Sequence, residues 1–186
     1  MTGKLLIAGV GNIFLGDDGF GVEVAKRLAS ADLPAWAHVV DYGIRGMHLA
    51  YDLANGYSSA ILIDATARGG VPGTIYVIEP DLQNPAAAAP ADEAALASNP
   101  MFNAHGMQPD VVFSMLGMLE AETRHVLVVG CEPASVDYGI GLSDPVAASV
   151  DEAVKVVLDL VSDAAESGEE HLLVTKEWAH VPRDPG

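Results

Sequence analysis

The stretch Leu5-Leu6-Ile7-Ala8-Gly9-Val10-Gly11-Asn12-Ile13-Phe14-Leu15-Gly16-Asp17-Asp18-Gly19-Phe20-Gly21-Val22 decides the fold. Leu5 to Gly9 is an unbroken apolar run, the mark of a strand buried on both faces. A glycine-rich loop follows, and Val22 to Leu28 then carries the apolar spacing of a helix. Strand, loop and helix in that order open an α/β domain.

The same alternation continues along the chain. His38 to Val40 reads as a second strand ending at Asp41, and Met47, Leu49, Leu53 and Ala54 form the inner face of a helix. Ser59 to Ile63 is a third strand, stopped at Asp64. Pro72-Gly73 signals a turn, and Thr74 to Ile78, rich in β-branched and aromatic residues, gives a fourth strand suited to antiparallel pairing. Val111 to Leu119 is expected to be a helix and His125 to Val129 a fifth strand. Pro145 to Val161 follows as a long helix, with Val146, Val150, Val154, Val157 and Leu158 on one stripe. Helices between buried strands require right-handed crossovers, which predicts a three-layer α/β/α sandwich around a mostly parallel sheet of about five strands. Residues 1–163 make one domain. Within it the Ala/Pro-rich residues 84–100 read as a mobile insertion, and residues 164–186 as a polar, flexible tail.

Half of the 186 residues are hydrophobic, enough for a real core. Nine Lys and Arg against 26 Asp and Glu give a net charge of -17, which repels phosphate, so neither nucleic acid nor an anionic membrane is an expected partner. The single Cys131 allows no intramolecular disulfide and no cysteine metal cluster, as in a reducing cytosol. No stretch supplies the roughly 20 apolar residues of a membrane span, and the expected compartment is the cytoplasm.

In open α/β sheets ligands bind beyond the carboxyl ends of the strands, so strand ends are where chemistry is sought. The first loop superficially resembles a dinucleotide glycine loop. However, Phe14 stands where the third glycine is needed, and Asp17 and Asp18 would repel a pyrophosphate, so no nucleotide is expected. At a helix start those two acids serve as an N-cap and a first-turn charge, or else one of them faces the crevice. Asp64 ends the third strand at the same edge, where it is either a turn residue or a functional carboxylate. Strands one and three are plausible neighbours, which would set Asp18 and Asp64 across one crevice. His105 precedes a helix started by Pro109, which presents its ring rather than packing it. Two carboxylates and an imidazole form an open oxygen/nitrogen set suited to a divalent ion such as nickel or zinc. Neither His-Glu-x-x-His nor Gly-x-Ser-x-Gly occurs, and Cys131 has no sequence-evident activating histidine.

The block from Gly9 to Val22 strongly resembles the opening of the hydrogenase maturation endopeptidases, which process nickel-iron hydrogenases. Asp41 to Met47, Ile63-Asp64-Ala65, Pro72-Gly73-Thr74, His105 with Pro109-Asp110, and Gly130 to Ser143 match in order and spacing across roughly residues 4 to 160. The resemblance implies a phosphorylase/hydrolase-like α/β/α fold. It also implies an aspartic-type or metal-dependent endopeptidase that removes a C-terminal extension from the hydrogenase large-subunit precursor after nickel insertion. The nickel is then presented by the substrate. The family's metal-contacting residues map onto Asp18, Asp64 and His105; its first acid is often Glu, and Asp18 is a methylene shorter. Its substrate-recognition segment maps onto Asp41, Gly43, Arg45 and Gly46, where Arg45 either pairs with a substrate carboxylate or is simply solvated. Two alternatives stand beside this reading: a non-catalytic chaperone that grips the nickel-loaded subunit, and a nucleotide-binding domain.

Overall fold

The computed structural model describes residues 3–80, 123 and 125–166. Its strands are β1 (Leu5–Val10), β2 (Ala37–Gly43), β3 (Ser59–Ala65), β4 (Ile75–Ile78) and β5 (His125–Cys131). A 3-10 turn over Gly16–Gly19 leads into helix α1 (Phe20–Leu28); α2 spans Gly46–Gly56 and α3 spans Asp144–Glu166. The helix expected over Val111–Leu119, the 84–100 insertion and the chain from 167 onward lie outside the described residues. Helix α3 runs past the expected boundary at 163/164, because Ala164 still belongs to the core at 7% exposure. No described helix is long and apolar enough to cross a membrane.

The strands lie in the order β2-β1-β3-β5-β4. β1 pairs in parallel with β2 and β3, and β3 in parallel with β5. β4 closes the edge antiparallel to β5, in the direction expected for it. Every residue of β1 is buried, which is why its sequence is apolar without alternation. The register sets Gly9 opposite both Asp41 and Ile63, and Ile63 opposite Val129, so the four parallel strands end close to one line.

Alternate residues of the strands serve two cores, following the two-residue period of a pleated strand. Leu5, Ile7, Ile61 and Leu127 face a cluster with Phe20, Val24 and Leu28 of α1 and Val146, Val150 and Val157 of α3. Leu6, Ala8, Leu62 and Val126 face the other side, with Leu49 and Leu53 of α2. Full burial of Leu49 and Leu53 contributes about 2 kcal/mol each and fixes α2 against the sheet. The layers are therefore helices, sheet and helix, an α/β/α sandwich.

One contact places the functional edge. A Cβ on Gly21, in the first turn of α1, would lie 2.0 Å from the Ile63 carbonyl oxygen and 2.3 Å from that of Val10. On the strand side, a Cβ on Gly9 would lie 2.4 Å from the Gly21 oxygen. Only two facing glycines let helix and sheet backbones come this close. The turn before α1, with Asp17 and Asp18, is thereby held at the ends of β1 and β3.

Candidate functional site

The carboxyl edge is organised around Gly11, the residue after β1. Its φ of +130° suits glycine, and a Cβ there would sit 1.8 Å from the Asp18 carbonyl oxygen and 3.8 Å from Asp64 Oδ1. Asp18 Oδ2 accepts a hydrogen bond from the Asn12 amide at 2.7 Å. Asp64, at 5% exposure, accepts one from its neighbour Ala65 at 2.9 Å through Oδ1. The two acids from distant parts of the chain thus both adjoin Gly11-Asn12, Asp18 through the Asn12 amide and Asp64 beside Gly11. The strand adjacency that brings them together, β1 beside β3, is the one expected. His105 lies outside the described residues.

Neither Asp17 nor Asp18 is a helix cap: the 3-10 turn and α1 both begin without a side-chain cap hydrogen bond. Asp17 is instead 1% exposed and reaches across the fold to the segment after β5. Its Oδ2 accepts from the amides of Ala134 (2.8 Å) and Ser135 (3.1 Å) and the Ser143 hydroxyl (2.9 Å), and its Oδ1 from the Ser143 amide (2.7 Å). Burial pushes this carboxyl upward, but the bonds from Ser143, Ser135 and Ala134 together outweigh it and hold Asp17 below its ordinary value of 3.8. The two neighbouring acids have separate tasks. Asp17 fastens a loop, and Asp18 lies at the edge itself.

The end of β2 and the turn into α2 lie beside Gly11. The pairing of β1 with β2 shifts register between Gly9 and Val10, which sets Val10 opposite Gly43. The Gly43 carbonyl accepts the Gly11 amide at 3.0 Å, so this segment is tied directly to the residue that Asp18 and Asp64 flank. Asp41 is exposed, and Gly46 is buried as the first residue of α2. The Arg45 side chain folds back: Nε donates to the Tyr42 carbonyl at 3.0 Å and the guanidinium also bonds the Asp41 carbonyl. Tyr42 in turn donates to Asp52 at 2.6 Å, and burial followed by that bond raises its hydroxyl pKa.

Glu132 is a residue that sequence reasoning passed over. At 5% exposure it accepts the amides of Arg68 (2.8 Å) and Gly69 (3.1 Å) and the Tyr76 hydroxyl (2.8 Å), fastening the loop between β3 and β4. Burial first and Glu132 second push Tyr76 up to about 12. The position of Glu132 directly after β5 is the only sequence signal it offers. Cys131 is fully buried beside Ser149 Oγ at 3.3 Å, and burial pushes its thiol up to about 11. A thiol so protonated makes a poor nucleophile.

With this geometry in place, comparison with known proteins is specific. A family model described as hydrogenase maturation protease matches residues 22–160. The hydrogenase expression/formation protein HupD of Rhodobacter capsulatus is 31% identical over 155 residues, covering 81% of this chain and 68% of that protein. The hydrogenase 2 maturation protease of Escherichia coli is 29% identical over 157 residues, covering 83% and 88%. The solved structure of the hydrogenase maturating endopeptidase HybD from Escherichia coli superposes with a TM-score of 0.67 at 30% identity, covering 89% of this chain and 94% of that one.

Proposed function

The chain belongs to the hydrogenase maturation protease family and is a peptidase, and we propose that it cuts the C-terminal extension from the large-subunit precursor of a nickel-iron hydrogenase once nickel is in place. The observation that carries the reading is that Asp18 and Asp64 both adjoin Gly11-Asn12 in a chain of this family. In this reading Asp18, Asp64 and His105 receive nickel that the substrate already holds. Carboxylate oxygens and an imidazole nitrogen are donors that such an ion accepts. Held there, such an ion would supply Lewis acidity to the scissile carbonyl or to an attacking water. The chain's own residues supply position.

Asp18 is held by the Asn12 amide and Asp64 by the Ala65 amide, so both acids are oriented before substrate arrives. Asp41, Gly43, Arg45 and Gly46 form the wall along which the extension lies. Arg45 stiffens that wall through its bonds to the Asp41 and Tyr42 carbonyls. A precursor without nickel lacks the anchor, so differential binding of the loaded form decides which molecules are cut.

Purified protein incubated with nickel-loaded precursor should lower the precursor mass by that of its extension, and nickel-free precursor should stay intact. Unchanged mass of the loaded precursor would reject the assignment.

A further inference from the structure

The loop between β1 and α1 and the loop between β5 and α3 are joined into a small two-stranded platform. Leu15 and Gly139 form a parallel bridge, with Gly139 N donating to Phe14 O at 2.9 Å and Gly16 N to Gly139 O at 3.0 Å. Beneath it, Asp17 N donates to Ser135 O at 3.1 Å and the Asp17 carboxylate takes its donors from residues 134, 135 and 143. Alternation across the bridge sends Leu15 inward, at 7% exposure, and leaves its apolar neighbours outward. Phe14 is 58% exposed, Tyr138 94% and Ile140 83%. A rigid surface that displays two aromatics and an isoleucine has the composition of an interface centre.

We propose that this platform is the docking surface for the folded body of the substrate protein, and that its occupant is an apolar patch rimmed by basic side chains. The inference rests on the proteolytic reading above and adds the surface that reading lacks. Two observations choose the occupant. The platform is continuous with the site, since Phe14 and Asp18 belong to one loop, so a protein held at Asp18 lies over it. The exposed acid Asp137 directly precedes Tyr138, within a chain of net charge -17, so a second copy is repelled and a cationic surface attracted.

The test measures cleavage of nickel-loaded precursor by wild type, Phe14→Ser, Tyr138→Ser and, as a control of similar exposure on α2, Tyr51→Ala. The two platform variants should raise KM at least about tenfold with kcat within about twofold, and KM of the wild type should rise with salt. The control should match wild type. Unchanged KM in both platform variants while wild type cuts normally overturns the docking surface and leaves the proteolytic reading standing. A wild type that does not cut removes both. An equal rise in the control, a KM indifferent to salt, a dimer that only the platform variants dissociate, or a loss of melting temperature with KM unchanged each overturns the proposal.

Discussion

Asp17 and Asp18 are adjacent in sequence and opposite in circumstance. Asp17 is sealed from water and takes hydrogen bonds at 2.7–3.1 Å from three residues that lie more than 100 positions away. Asp18 is half-buried and takes one, from Asn12, among the described residues. The same contrast recurs at the end of β5, where Glu132 is saturated by two amides and a phenol. A buried carboxylate that already accepts three or four hydrogen bonds has little left to offer a ligand, and its worth lies in the loops it ties. The acid with spare capacity is the one placed where chemistry is proposed.

Removing charge from each acid separates the two tasks. Asp18→Asn should lower the cleavage rate by about a thousandfold, the scale of a lost acid-base or metal-positioning group, with little change in melting temperature. Mass spectrometry of the precursor together with a thermal melt measures both; a processing rate near wild type would return Asp18 to a structural role. Asp17→Asn should instead cost about 3 kcal/mol, because the new amide hydrogens would point at the donors that the carboxylate accepts. In a chain of this size that is a fall in Tm of about 10 °C.

Acid should erase the second effect. The folded pKa of Asp17 lies below its ordinary 3.8, so in mild acid the unfolded chain binds more protons than the folded one. The stability due to this group is therefore present in full above the unfolded value and is lost as pH falls through the folded value. Urea denaturation from about pH 6 downward should show a constant difference between wild type and Asp17→Asn well above 3.8 and a narrowing one below it; a gap that stays constant in acid would mean that Asp17 does not carry its charge in the fold. The smallest expected effect is that of Ser143→Ala, which removes the hydroxyl donor at 2.9 Å while keeping the backbone donor at 2.7 Å. It should cost about 1 kcal/mol in the same denaturation experiment. A loss as large as that of Asp17→Asn would show that the hydroxyl rather than the backbone amides holds the loop.

The contrast also marks how far the sequence could be read. Strands were legible because burial on both faces leaves a continuous apolar run, as in Leu5 to Gly9, and their carboxyl ends pointed to Asp18 and Asp64. The antiparallel direction of the edge strand β4 was legible because the alternation with helices lapses before it, although nothing local named β5 as its partner. Asp17 was legible only as an acid at a helix start, and local spacing makes that a cap. Its actual partners follow β5, and nothing in the local pattern records a contact of such range. Glu132 was hidden for the same reason, since Arg68, Gly69 and Tyr76 reach it only once β4 has folded back on β5. The helix expected to end at Val161 runs on to Glu166, because the apolar stripe thins after Val161 although Ala164 still packs.

The facing glycines of β1 and α1 have a consequence for how such a chain can vary. Since backbone rests on backbone at Gly9 and Gly21, no side chain acts as a spacer between the sheet and the turn that bears Asp18. A change of bulk among the leucines, valines and isoleucines elsewhere in the interior then costs packing energy, while the acidic edge keeps its place.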